Sequence, residues 1–276
     1  MKAHVIDSIL HLATHSSSKV IRRKMLDEKP LRVLGEILPR EYLDRTVEDI
    51  PISAFGNMSE TRVSGIPEDE PTWLGTLKQY IHGNGWKDEV IDYFECEIKD
   101  RDFPARGARG ALQVHSYNGI CFGSNGSHRL VGLVCYLAAK YGDDAVARGV
   151  NHSATLYGAA ALSKLQGLYN KSTSGMKLAS QLRLQGNLEI GVDNVICIDE
   201  NYYTYDNNDF ILLSPHSTSW SDKLIRKEKI RQRKALYDRQ DYTTLGHDAC
   251  KRLFKSTWLN EAISTKVKTG SLSEAP

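Results

Sequence analysis

The stretch that most constrains the fold of this 276-residue chain runs from residue 119 to residue 142, GICFGSNGSHRLVGLVCYLAAKYG. A short apolar segment ends in a small-residue turn at residues 123–126, and apolar residues then recur at helical spacing. The preceding residues, ALQVHSYNGICFG, predict a β-hairpin whose turn contains Asn118-Gly119. A hairpin must therefore lead directly into an apolar helix.

The turn itself predicts an anion-binding site. The first N–H groups of a helix have no partners inside the helix and carry the positive end of its dipole, and glycine lets a ligand approach them closely. Arg129 adds a guanidinium suited to phosphate oxygens, and His128 can donate to phosphate or transfer a proton. The expected occupant is a ligand that carries phosphate. The alternative is an ordinary helix start that Asn125 or Ser127 caps.

Three elements are predicted before the hairpin. Residues 48–55, EDIPISAF, predict a short strand, and a polar loop with Glu60 and Arg62 follows it. Residues 70–86, EPTWLGTLKQYIHGNGW, predict an amphipathic helix that ends in glycine. Residues 89–98, EVIDYFECEI, predict another strand.

This order of elements, ending in the glycine turn before His128-Arg129, resembles the N-terminal domain of the ParB/sulfiredoxin superfamily over about residues 47–142. The signature of that family is an apolar strand, a glycine, one variable residue, and a His-Arg or Arg-Arg pair that opens a helix. The resemblance implies an α+β fold with a mixed sheet, and a nucleoside triphosphate, ATP or CTP with Mg²⁺, at the turn. Its phosphate contacts would be Gly123, Asn125, Gly126, Ser127, His128, Arg129 and Arg62.

Turnover of the triphosphate would need positioned charge, a metal ion and often a carboxylate base. The resemblance points to Glu60 as that base and as the ligand for Mg²⁺, with His128 as the second catalytic residue. Three arginines in the turn-rich segment DRDFPARGARGALQ either line a phosphate or nucleic-acid site or solvate a loop, and the loop interpretation is preferred. They are Arg101, Arg106 and Arg109.

Two departures from the family pattern narrow the function. Sulfiredoxins place a reactive cysteine immediately before the His-Arg pair, where this chain has Ser127, and Cys121 lies in a predicted strand where burial would make it inert. Sulfinic acid reduction is therefore not expected. The partition proteins continue into a helix-turn-helix region, which only residues 151–171 could supply here. Classical partition function is not expected either.

The chain is predicted to divide into a helical N-terminal extension (1–46), the ParB/sulfiredoxin-like core (47–150) and a helical and β-rich C-terminal region (151–276). Residues 187–214 predict a β-meander with turns at Asp193-Asn194 and Asn207-Asn208. Residues 221–237 predict a basic helix, which either binds phosphate backbone or is a solvated helix with a narrow core face. Its candidate nucleic-acid contacts are Lys223, Arg226, Lys227, Lys229, Arg233 and Lys234.

Composition excludes several classes of protein. The chain has 36 Lys and Arg against 34 Asp and Glu, a net charge of +2 that indicates no polyanionic partner by itself. No apolar run approaches the roughly 20 residues that a membrane span needs, and no signal peptide is expected at the start of the sequence. The five cysteines form no CxxC pair, which is typical of a reducing cytoplasm.

Three functions stay open at this point. The preferred one is a triphosphate-binding enzyme, an ATPase or phosphotransferase, in a DNA-related process of a mobile element, phage or bacterium. The second is a DNA-binding protein or nuclease that uses the basic helix. The third is a family member that has lost its chemistry and binds a protein partner. A homodimer is compatible with each of them.

Overall fold

The computed structural model describes residues 4–58, 71–170, 172, 174–185, 188–199, 201–212, 242–255 and 258–259. These residues form helices and two five-stranded sheets, so the chain belongs to the α+β class, as predicted. The chain divides into two compact units, Met1–Glu28, Tyr42–Leu156 and Ser256–Pro276 in the first, and Lys29–Glu41 and Tyr157–Lys255 in the second. The domain boundaries expected near residues 46 and 150 stay a prediction.

The elements of the described residues are as follows in chain order. The helices are α1 (Val5–His15), α2 (Lys19–Arg22), α3 (Lys29–Ile37), α4 (Trp73–Tyr80), α5 (Val90–Glu95), α6 (Ser127–Tyr141), α7 (Ala159–Tyr169) and α8 (His247–Lys255). The strands are β1 (Arg40–Pro51), β2 (Phe55–Met58), β3 (Gln113–Tyr117), β4 (Ile120–Asn125), β5 (Val146–Tyr157), β6 (Met176–Gln185), β7 (Leu188–Ile198), β8 (Asn201–Asp206), β9 (Asp209–Leu212) and β10 (Thr243–Leu245). Three residues, Ile52–Ala54, form a 3₁₀ turn between β1 and β2.

The first unit contains a mixed sheet with strand order β1-β5-β3-β4-β2. Strand β3 runs antiparallel to β4 and parallel to β5, while β2 runs parallel to β4. The hairpin of β3 and β4 turns at Asn118 and Gly119, whose φ angles are 47° and 87°. Positive φ at both central residues suits the twist of a tight hairpin, which is why Asn-Gly predicted this turn correctly.

Helix α6 follows β4 directly and lies in the core of the first unit. Its residues from Arg129 to Ala138 are all buried, and Cys121 in β4 is fully buried, as predicted for an inert thiol. A Cβ atom on Gly123 would lie 2.5 Å from Cδ2 of Leu130. The glycine at the end of β4 therefore lets α6 pack closely on the strand that precedes it.

Two local expectations were wrong, and a third was right only in part. The segment EVIDYFECEI forms α5 and not a strand, because its buried residues Val90, Tyr93 and Phe94 have helical spacing. The predicted strand at residues 48–55 is divided by the 3₁₀ turn between β1 and β2. Asp193 and Asn194 lie inside β7, where they pair with β6, and so make no turn.

The second unit contains an antiparallel sheet with strand order β10-β6-β7-β8-β9. Strand β6 pairs with β7, and strands β7 to β9 form the meander predicted within residues 187–214. Its turn at Asn207 and Asn208, with φ angles of 49° and 62°, is also as predicted. Among the described residues, none of the helices combines the length and the hydropathy that a membrane span requires.

A cross-strand cluster in the first sheet predicts a pH-dependent stability. The Nδ1 atom of His115 lies 2.9 Å from Oγ of Ser153, and its Nε2 atom lies 3.0 Å from Oγ1 of Thr155. Burial lowers the pKa of His115, so the folded chain binds this proton less readily than the unfolded chain does. The neutral His115 therefore contributes fully to the free energy of unfolding above the unfolded-state pKa of about 6.5. This contribution is lost as the pH falls below that value, because the unfolded chain then binds the proton first.

Urea unfolding at about pH 7.5 and about pH 5 checks this expectation. The free energy of unfolding of the wild-type protein should fall between these two pH values. The fall should be smaller in His115→Gln and unchanged in His82→Gln, whose histidine is exposed. The same decrease in both variants would contradict the assignment to His115.

Candidate anion-binding site

A cleft of about 760 Å³ lies at the N-terminus of α6 in the first unit. One wall is the turn and helix start at residues 125–129, and the other is the loop that contains Phe103 and residues 105–109. Asn84 and Trp86 complete the lining. The main chain of Arg106 donates to the carbonyl of Gly85 at 2.9 Å, which ties the loop to the chain before α5.

The turn has the geometry that exposes helical N–H groups. Gly126 precedes α6 in the left-handed conformation, with φ 82° and ψ 39°, and no side chain caps the helix. The first main-chain bond back to the turn is from the N–H of Leu130 to the carbonyl of Gly126, at 3.0 Å. The N–H groups of residues 127–129 come before it, where a helix leaves its donors unpaired. The side chain of Asn125 donates instead to the carbonyl of Ala111 at 3.0 Å, so it is a loop anchor and not the cap.

Arg129 is buried, with 5% of its surface exposed. Its Nη1 atom donates to the carbonyl of Gly110 at 2.9 Å, and its Nη2 atom donates to the carbonyl of Arg109 at 3.3 Å. The guanidinium carbon also lies 5.5 Å from the centre of the Phe103 ring, within cation–π range. Arg129 therefore fixes the loop wall of the cleft to the helix start.

The positive charge of Arg129 has no carboxylate partner among the residues that the structure describes. None of the described lining residues is acidic, whereas Arg106 and Arg109 are exposed and line the same cleft. The N-terminus of α6 adds the positive end of its dipole. A buried charge without a counter-charge is unfavourable, so this arrangement favours the binding of an anion.

A buried hydroxyl lies beside the guanidinium. The oxygen of Tyr93 makes no hydrogen bond of regular geometry within the described ranges of the chain, although the guanidinium of Arg129 is close enough to interact with it. Burial raises the pKa of Tyr93, and the neighbouring Arg129 opposes that shift without overcoming it. Tyr93 therefore stays neutral and keeps its proton available for donation.

The structure brings most of the predicted phosphate contacts together. The cleft lining contains Asn125, Gly126, Ser127, His128 and Arg129, of which His128 is exposed. Gly123 does not line the cleft. A glycine is needed at this position because a larger side chain would collide with Leu130.

The predicted base and the predicted nucleic-acid contacts cannot be compared with this geometry. Glu60 and Arg62 fall in residues 59–70, which lie outside the described residues. The same holds for the basic segment, with Lys223, Arg226, Lys227, Lys229, Arg233 and Lys234. In the described part of the chain, no group of three His, Cys, Asp or Glu side chains could hold a metal ion. The Mg²⁺ site stays a prediction.

The second wall of the cleft contains two arginines for which the sequence favours the other of two interpretations. The sequence favours solvation of a loop by Arg106 and Arg109 over a phosphate or nucleic-acid site, and the structure shows both side chains exposed and lining the cleft. Arg101 does not line it, and its guanidinium lies 5.9 Å from the centre of the Tyr93 ring. The available signal was two arginines around Gly107 in a turn-rich segment, but that signal does not say which helix the loop meets.

Comparisons of the chain with protein-family models, with curated proteins and with solved structures gave no match. The resemblance to the ParB/sulfiredoxin superfamily therefore stays a prediction.

Proposed function

We propose that the cleft at the N-terminus of α6 binds the phosphates of a nucleoside triphosphate, ATP or CTP. The observation that carries this proposal is the buried charge of Arg129, which lies at a helix N-terminus and has no carboxylate partner among the described residues. Arg106 and Arg109 bring two further positive charges to the same cleft. A polyphosphate supplies several negative charges and many acceptor oxygens, so it matches this set of donors.

The size and the apolar wall of the cleft favour a nucleotide over inorganic phosphate. A volume of about 760 Å³ falls in the range of small-molecule sites and exceeds what one phosphate group fills. Trp86 and Phe103 line the cleft with the small exposed fraction of their rings, 9% and 6%, which gives an apolar edge for a base or sugar. The resemblance to the ParB/sulfiredoxin superfamily points to the same ligand.

Turnover is a further part of the proposal and rests on that resemblance. The triphosphate would be hydrolysed or would transfer a phosphoryl group in a DNA-related process, with Glu60 as base, Mg²⁺ on the phosphates and His128 as the second catalytic residue. His128 is exposed at the cleft, which is compatible with contact to a bound phosphate. Phosphate release with Mg²⁺, with and without duplex DNA, tests this part separately from binding.

Calorimetric titration of the protein with ATP, CTP and inorganic phosphate tests the binding site. We expect saturable binding of one triphosphate and weaker binding of phosphate. Arg106→Ala/Arg109→Ala should lower the triphosphate affinity by about tenfold to a hundredfold, since two charge-assisted contacts are lost at an exposed and partly screened position. Arg148→Ala is the matched control, because this exposed arginine does not line the cleft.

Two outcomes would overturn the proposal. If the wild-type protein binds no triphosphate, the turn is an ordinary helix start and the cleft has another ligand or none. If the double variant and the Arg148→Ala control bind with the same affinity, the triphosphate occupies a different site.

A further inference from the structure

Two histidines outside the cleft lining form a pair on α1. His11 and His15 are four residues apart, so they lie on the same face of the helix. Both side chains are exposed, and the centres of their rings are 4.3 Å apart. Two imidazoles are thus held at one point of the surface by the helical backbone itself.

The hydrogen bond of His15 fixes which ring nitrogen can bind a ligand. Its Nδ1 atom lies 2.8 Å from the carbonyl oxygen of His11. A carbonyl oxygen only accepts, so Nδ1 carries the proton, and Nε2 of the neutral ring carries the lone pair. Histidines that bind metals commonly donate their other N–H to a backbone carbonyl, which orients the ring and raises the basicity of the ligating nitrogen. His15 has this arrangement.

We propose that His11 and His15 bind one divalent transition-metal ion of the imidazole-preferring class, such as Ni²⁺, Cu²⁺ or Zn²⁺. A metal–nitrogen bond of about 2.0–2.1 Å places two ligating nitrogens roughly 3 Å apart around one ion. A ring-centre separation of 4.3 Å brings the two imidazoles within reach of such an ion after small side-chain rotations. The other coordination positions are left to water or to an added ligand.

Some charges near the histidine pair favour a bound cation and others oppose it. Asp7 lies one turn before His11 on the same helix, and the pair lies near the C-terminal end of α1, where the helix dipole favours a cation. Against this, the guanidinium of Arg22 donates to the carbonyls of Thr14 and Ser16 beside that end. Since no third His, Cys, Asp or Glu completes a site within the described residues, the affinity is that of a two-ligand chelate.

Titration of the full chain with Ni²⁺ and Zn²⁺ tests the proposal. We expect one equivalent to bind, and either His11→Ala or His15→Ala to lower the association constant by about tenfold or more. His82→Ala removes an exposed histidine outside α1 and should leave that constant unchanged. The ion should also raise the thermal unfolding temperature of the wild-type protein and of His82→Ala, but not of the other two variants.

A second measurement does not depend on the variants. The electron paramagnetic resonance spectrum of the wild-type protein with one equivalent of Cu²⁺ should show two imidazole nitrogens on the ion. No binding to the wild-type protein, a spectrum with a single nitrogen ligand, or equal affinity in wild type and both α1 variants would each overturn the proposal.

Discussion

Replacing Arg129 by alanine should lower the free energy of unfolding by about 2–4 kcal/mol, because the loss of two hydrogen bonds and the cavity outweigh the removal of a buried charge. The substitution takes the donors away from the carbonyls of Arg109 and Gly110, which the guanidinium contacts at 3.3 and 2.9 Å. It also removes the contact with the Phe103 ring and leaves a cavity where the buried side chain was. Chemical unfolding of the two proteins measures the difference.

Two comparison variants separate this effect from the loss of an arginine in general. Arg148→Ala removes an exposed arginine and should change the stability by less than about 0.5 kcal/mol. Arg129→Lys keeps the charge but cannot reach two carbonyls in the same fork geometry, so its stability should fall between those of wild type and Arg129→Ala. Equal stability of Arg129→Ala and wild type would mean that the buried arginine does not hold the loop.

Arg129 both holds the loop wall and supplies positive charge to the proposed triphosphate site, which affects how that site can be mapped by substitution. Because its fork holds the loop that carries Arg106 and Arg109, removing Arg129 changes the position of those two side chains as well. A loss of triphosphate affinity in Arg129→Ala could therefore come from the lost ligand contact, from the displaced loop, or from both. The exposed arginines are the cleaner probes of ligand contact, and Arg129 is the cleaner probe of loop position.

The sequence was most successful at predicting features that depend on residues close together in the chain, such as turns and helices. The hairpin at Asn118-Gly119 follows from two adjacent residues that accept positive φ, and α6 follows from the spacing of its own apolar residues. Residues 89–98 form a short apolar run that fits both a strand and a helix by eye. The positions of Val90, Tyr93 and Phe94, three and four apart, favoured the helix that the structure contains.

The cleft was harder to predict because its walls meet through contacts distant in sequence. The bonds of Arg129 reach back 19 and 20 residues, to carbonyls that any sequence has. Neither the burial of Arg129 nor the position of Arg106 and Arg109 beside α6 leaves a periodic signal in the sequence. The turn at residues 123–129 therefore indicated an anion site, but the loop that forms the second wall of the cleft could not be predicted. Glu60, Arg62 and the basic segment at residues 221–237 lie outside the described residues and stay predictions.

Replacing Gly126 by alanine should lower the free energy of unfolding by about 2–4 kcal/mol. The residue has φ 82°, which costs an alanine backbone strain. A Cβ atom there would also lie 2.3 Å from Nε and 2.9 Å from Cδ of Arg129. That side chain cannot withdraw without breaking its bonds to the loop, so the added methyl group should displace the guanidinium and loosen the loop wall.

Gly107→Ala is the matched control for this prediction. Gly107 also has a positive φ of 78°, and a Cβ atom there would meet nothing within 4 Å, so its substitution costs only the backbone strain, about 1 kcal/mol. The excess loss in Gly126→Ala then measures the collision with Arg129. Since Arg129→Ala removes the colliding atoms, Gly126→Ala should cost only about as much as Gly107→Ala when it is made in that background. If Gly126→Ala costs the same in the wild-type and Arg129→Ala backgrounds, the guanidinium does not pack against the turn.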